Sequence, residues 1–243
     1  MAALVVALAC TRGESAPPGD DATDTPRAAV AATGRSLATE PADRNGAEST
    51  DATREPTVLF LGTSLTAGYG LDDPEDAYPA VVGRMLDSAG TRVHVLNLGV
   101  SGETSAGARA RIDWVLRNPA DVVVVETGAN DGLRGLSVDA ARDNIQAIID
   151  RIRAKRPHAR VLLVQMEAPP NLGARYTRDF HEMFPELARK NGVELVPFLL
   201  EGVAGDPSLN QPDGIHPNVN GARIAARTVF RALVRKPLVV TSD

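Results

Sequence analysis

A single cysteine, Cys10, occurs in the 243 residues, so no intrachain disulfide can form. Neither a Cys-x-x-Cys nor a His-Glu-x-x-His spacing is present to hold a tetrahedral metal. Stability must therefore come from packing, and no metal or other cofactor is expected. Aromatic residues are scarce, with one Trp, three Tyr and five Phe, mostly at core-like positions, which leaves little surface for stacking on sugars. Positive charge is not in excess either. Against 31 acidic residues stand 26 basic ones, a formal net charge of -5, which argues against the Lys/Arg surface that neutralises a nucleic-acid backbone. What is present is an ordinary globular composition, 43% hydrophobic and 23% charged, with length enough for one well-buried domain and a tail.

The ends differ from the middle. Ala2 to Ala9 is an apolar run ending in Ala-Leu-Ala before Cys10, similar to the short apolar region and lipobox of a bacterial lipoprotein signal. On that reading residues 1–10 are a signal segment, Cys10 is lipidated, and the protein sits in the bacterial cell envelope or periplasm, tethered to a membrane. No Lys or Arg precedes the run, so an untethered apolar N-terminus stays open as the alternative. The run is too short to span a bilayer, which takes about 20 residues. From Thr11 to Glu55 the only large aliphatic residues are Val30 and Leu37, too few to offset chain entropy, so residues 11–56 read as a flexible linker. A folded domain is expected over 57–237, with a short tail over 238–243 and no internal repeat.

Within that domain apolar runs alternate with helical patterns. The runs are Val58 to Leu61 ending at Gly62, Val93 to Leu98 ending at Gly99, Val122 to Val125, Arg160 to Met166 before Pro169-Pro170, and the short Val193 to Val196. Between them, Ser137 to Lys155 carries Ile145, Ile148, Ile149 and Ile152 at helical spacing behind a serine cap. Helices are also expected over Ala77 to Ala89, Thr104 to Arg117, Tyr176 to Asn191 and Asn218 to Lys236. Strict alternation implies right-handed crossovers and an α/β fold: a three-layer α/β/α sandwich around a central five-stranded parallel sheet. In such sheets ligands bind beyond the carboxyl ends of the strands, so the residues just after each run deserve inspection.

After the first run, Gly62-Thr63-Ser64-Leu65-Thr66 puts a hydroxyl at a tight strand-to-helix turn, where a serine can be a nucleophile or simply a cap. It is not the Gly-x-Ser-x-Gly elbow, since Thr66 stands where the second glycine belongs. After the second run, Gly102 can point its N–H at a developing negative charge. After the third, Asn130 can offer a side-chain amide. Asp213-Gly214-Ile215-His216-Pro217 precedes the last helix, and an Asp three residues ahead of a His can hold one tautomer and favour the imidazolium. His94, His158 and His181 have no such carboxylate arrangement and read as surface or packing residues. The acids Asp72, Asp73, Glu75 and Asp76 read as a solvated loop rather than a metal site.

Each segment alone is weak, but all four fall where one site beyond the sheet requires them. On Ser64, Gly102, Asn130, and Asp213 with His216, the sequence resembles the SGNH or GDSL hydrolases. Glu126 to Gly135 and Gln165 to Asn171 are similar to the arylesterase, thioesterase I and lysophospholipase I branch. The resemblance implies a flavodoxin-like SGNH hydrolase fold and a serine esterase with Ser64, His216 and Asp213 as triad. The N–H groups of Ser64 and Gly102 and the amide of Asn130 would form an oxyanion hole, and Leu133, Leu136 and Tyr176 would line an acyl groove. Expected substrates are small-molecule aryl or short-to-medium alkyl esters, acyl thioesters and lysophospholipids; a monomer is expected, with no nucleic-acid partner. A carbohydrate O-acetyl esterase uses the same blocks, and a non-catalytic lipid or acyl binding module is the alternative from another class. One departure stands out: Thr63 occupies the position where the family usually has Asp. That Asp is not a triad member, so activity is expected to survive.

Overall fold

The computed structural model describes residues 54–241; Cys10 and the apolar run before it lie outside the described residues. Five parallel strands form one sheet in the order β2-β1-β3-β4-β5: β1 Thr57–Gly62, β2 His94–Gly99, β3 Val122–Val125, β4 Arg160–Val164 and β5 Glu194–Val196. Leu59 pairs with Leu96 on one side and Val123 on the other, which puts β1 at the centre of the site-bearing half. Its side chains are buried on both faces, as are the four valines of β3, which is why these strands are unbroken apolar runs. β2 is the edge strand and is only half-covered, with His94 and Asn97 exposed.

Among the described residues seven α-helices connect and cover the strands: α1 Ser64–Ala67, α2 Tyr78–Ser88, α3 Ser105–Val115, α4 Ala129–Leu133, α5 Val138–Lys155, α6 Ala174–Asn191 and α7 Val219–Leu233. α2 packs on α7 over one face, and α3, α5 and α6 pack in sequence over the other, giving the three expected layers. α5 buries Ala141, Ile145, Ile148, Ile149 and Ile152 on a single stripe, and Ser137 accepts a hydrogen bond from the Ala140 N–H as its cap. α6 likewise buries Phe180, Met183, Phe184 and Leu187, so the aromatic stripe of that helix is core.

The five long helices and all five strands lie where the periodicity places them. α1 and α4 are not among the expected helices. Helices of four and five residues complete barely one turn and so leave no periodic signal. Both carry site residues.

At the amino ends of the strands, away from the site, Asp121 organises the closure of the domain. Its buried carboxylate accepts from the Thr57 N–H at 2.6 Å, from the Arg54 guanidinium at 2.6 and 2.8 Å, and from the Thr241 N–H and hydroxyl. Burial alone would raise its pKa; the donors outweigh that and hold the carboxyl below the usual aspartate value. Arg54 and Thr241 are thus tied to the body of the domain although they lie just outside 57–237.

Candidate active site

The turn that carries Ser64 is built on a buried carboxyl. β1 ends at Gly62, and Ser64 opens α1 two residues later, 9% exposed. Glu126, at the end of the neighbouring β3, reaches under this turn. It accepts from the Thr63 N–H at 2.8 Å, from the Thr63 hydroxyl at 2.9 Å and from the Thr66 hydroxyl at 2.8 Å. The Tyr78 hydroxyl lies 2.9 Å from that of Thr66 and extends the network. There is no room for a side chain at position 62, where a Cβ would meet Thr66 Oγ1 at 1.8 Å and Glu126 Oε2 at 2.8 Å. Asn97 of β2 steadies the far end of α1 by donating to the Thr66 carbonyl at 2.8 Å. Thr63 is therefore no idle replacement: its hydroxyl donates to Glu126, which an ionised aspartate cannot do.

Complete burial pushes the Glu126 pKa up from the ordinary glutamate range to about 7, against the pull of its threonine donors. The same burial, with Glu126 beside it, raises the Tyr78 phenol well above its usual value.

The segment between β5 and α7 returns over the carboxyl edge of the sheet and delivers His216 to Ser64. His216 Nε2 lies 2.9 Å from Ser64 Oγ, and His216 Nδ1 lies 2.6 Å from Asp213 Oδ2. Oδ1 of Asp213 accepts from the backbone N–H groups of His216 at 3.0 Å and Ile215 at 2.9 Å, so the carboxylate cannot swing away from the ring. The backbone N–H of His216, its ring and the Ile215 N–H lower the Asp213 pKa to about 2. Asp213 is ionised at any pH at which a histidine can act as a base.

Gln211, absent from the residues expected at the site, locks this segment to the turn that carries Ser64. Its Nε2 donates to the Tyr69 carbonyl at 2.7 Å and the Pro217 carbonyl at 3.0 Å, and its N–H donates to the His216 carbonyl at 2.7 Å. Gly70, at φ 74°, gives it passage, since a Cβ there would stand 2.0 Å from the Gln211 amide oxygen. The Tyr69 ring lies against the His216 ring, centroids 4.7 Å apart.

The second and third loops are also joined by side chains. Buried Asp131, next to Asn130 on α4, accepts from the Ser105 N–H at 2.8 Å and hydroxyl at 2.6 Å at the start of α3. Asn130 Nδ2 donates to the Glu103 carbonyl at 3.0 Å, which spends one amide hydrogen on orientation and leaves the other for a ligand. Arg111 grips both carboxylate oxygens of Glu103 at 2.6 and 2.7 Å while donating to the Leu98 carbonyl at 2.9 Å. Gly102 takes φ 77°, and its carbonyl accepts from Arg134 at 2.9 Å, leaving its N–H unhindered.

The site loops carry exposed apolar side chains. Of the eight large apolar side chains exposed among the described residues, five stand on the site loops: Tyr69, Val100, Leu133, Leu136 and Ile215. Tyr176 is placed otherwise than a free lining residue. Its hydroxyl donates to the Leu136 carbonyl at 2.7 Å and its ring stacks toward Phe180, so it braces the loop that presents Leu133 and Leu136. The cavity touching both Ser64 and His216 has about 10 Å³, room for one water and not for an acyl chain. His181, expected to lack a carboxylate partner, has one: its Nδ1 is 2.7 Å from Glu167 Oε1. The pair is 14 residues apart in sequence, which hides it from local spacing.

A hydroxyl hydrogen-bonded to an imidazole, itself hydrogen-bonded to an ionised carboxylate, at the carboxyl edge of a parallel sheet, is the arrangement of a serine hydrolase. Residues 60–224 match the GDSL-like Lipase/Acylhydrolase family. The arylesterase of Vibrio mimicus is 36% identical over 73% of this chain and 88% of its own length. Thioesterase 1/protease 1/lysophospholipase L1 of Escherichia coli K12 is 36% identical over 75% of this chain and 85% of its own. Among solved structures, that of TesA superposes with a TM-score of 0.70 at 36% identity, covering 75% of this chain and 99% of TesA. The chain belongs to the GDSL-like lipase/acylhydrolase family and is a carboxylic ester hydrolase.

A testable consequence follows from the buried glutamate. A carboxyl whose folded pKa lies near 7 and whose unfolded pKa lies near 4.5 favours the fold fully below about 4.5, and that contribution is lost as pH rises to about 7. Denaturant titrations of wild type and Glu126→Gln should diverge across that window, the wild type losing on the order of 3 kcal/mol relative to the variant. A difference that does not change with pH would show that Glu126 ionises normally.

Proposed function

We propose that the chain hydrolyses carboxylic acyl esters and thioesters through an acyl-enzyme on Ser64. His216 removes the Ser64 proton as the hydroxyl oxygen attacks the acyl carbon. The proton then passes to the departing alkoxide or thiolate, and His216 next activates the water that frees the acid. Asp213 keeps the Nδ1 proton in place and stabilises the imidazolium. The Ser64 and Gly102 N–H groups and the free hydrogen of the Asn130 amide hold the oxyanion. The observation that carries this reading is the pair of hydrogen bonds, 2.9 Å and 2.6 Å, linking Ser64 to His216 and His216 to Asp213.

For substrates, the apolar rim of Leu133, Leu136, Val100, Tyr69 and Ile215 supports aryl or short-to-medium alkyl chains lying over an open mouth. The names of the relatives, arylesterase and thioesterase/lysophospholipase, point the same way. Lysophospholipids belong to this set as single-chain acyl esters. A sugar acetyl group would need a stacking platform, and Trp114, the exposed tryptophan, lies near the far end of α3 from the mouth. The described residues include no helix long and apolar enough to cross a membrane. The lipobox-like residues before Cys10 support an envelope location with a lipid tether.

Asn130→Ala should lower kcat by roughly a hundredfold, about 3 kcal/mol of barrier, with KM changed little. Unchanged kcat would remove Asn130 from the oxyanion site. With p-nitrophenyl esters of rising chain length, kcat/KM should climb from acetate to a preferred medium length and then fall. Indifference to length would discard the apolar rim as an acyl site, and a sharp preference for acetylated sugars would favour the O-acetyl esterase.

A further inference from the structure

Outside the Ser64 and His216 cavity, the α2–α7 face combines charge and apolar surface in a way the ester chemistry does not use. α7 contains no Asp or Glu, and its exposed arginines Arg223, Arg227 and Arg231 fall four residues apart, on one line of the helix roughly 12 Å long. With Arg84 of α2 they rim an open groove of about 710 Å³ whose floor includes Val81, Met85 and Phe230. Among the described residues, only Arg84 of the four has a carboxylate partner, Glu75 at 2.8 Å. Three cations at this spacing repel one another along the helix.

From this we infer that the α2–α7 face is a docking surface for an anionic phospholipid membrane. The charge complementarity is specific in form. Guanidinium groups pair with phosphodiesters through two parallel N–H donors, and a straight row on one helix meets a planar surface along its whole length. The apolar floor between the cations matches the glycerol and upper acyl region below the phosphates; an acidic polypeptide would leave it unused. A chain with formal charge -5 is repelled overall by an anionic surface, so contact depends on this local row. The inference does not rest on the proposed ester mechanism or on Cys10.

The test is co-sedimentation of the full-length chain with vesicles of phosphatidylcholine alone and with about one-third phosphatidylglycerol. The wild type should bind the anionic vesicles well beyond whatever the neutral ones retain, and the difference should vanish near 1 M salt, where the screening length is about 3 Å. Each arginine near an anionic surface contributes about fivefold, so the combined variant R223Q/R227Q/R231Q should lose about a hundredfold in affinity. Turnover of a soluble p-nitrophenyl ester, followed in the same samples, should be the same in wild type and variant, which separates docking from catalysis. Equal binding to both vesicles, or equal binding by wild type and variant, would overturn the inference. Displacement by poly-glutamate at charge concentrations below those of the vesicles would assign the face to an acidic protein instead.

Discussion

The hydrogen bonds that hold Glu126 beneath the Ser64 turn are the constraint on which the site rests. Parallel strands end together at one edge, and beyond a few backbone hydrogen bonds the loops that leave them are held in place by side chains. Glu126 does this at the centre, drawing Thr63 and Thr66 onto β3 and fixing where Ser64 stands. Gly62 is the steric counterpart of that grip, because any side chain there would occupy the space the carboxyl and Thr66 share.

The other loops are tied in the same manner: Asp131 to Ser105, Arg111 to Glu103 and the Leu98 carbonyl, and Gln211 to Tyr69 and Pro217. Each tie is a charged or amide group spending its donors or acceptors on backbone, hydroxyl or carboxylate partners. The Ser64 to His216 contact of 2.9 Å is where these constraints meet, across 152 residues of chain. Two carboxyls within this small region are driven to opposite states. Asp213, at the surface and rich in donors, is held near 2, whereas buried Glu126 is pushed up to about 7. The first suits a permanent anion beside an imidazole, the second a structural group that shares protons with hydroxyls.

Much of this was legible in the residues alone. The apolar runs of β1 and β3 and the isoleucine stripe of α5 determine the layers, and Asp213 and His216 are close enough in sequence for their pairing to be read from spacing. The ties were not legible, because Glu126, Asp131, Arg111 and Gln211 act on partners tens of residues away or through backbone groups that carry no residue identity. The role of Thr63 illustrates the limit. Thr63 stands out in the sequence as a departure from the family pattern, but its donation to Glu126 appears only once β1 and β3 are side by side. Tyr176 was likewise placed by the sequence at the acyl groove, and its hydroxyl proves to hold the backbone of that loop.

The most direct test is to treat the protein with an alkyl fluorophosphonate and locate the adduct by peptide mass spectrometry. Expected is a single phosphonyl group on Ser64, absent in Ser64→Ala and formed far more slowly in His216→Ala. An adduct elsewhere, or labelling that proceeds equally without His216, would contradict a Ser64 nucleophile activated by His216.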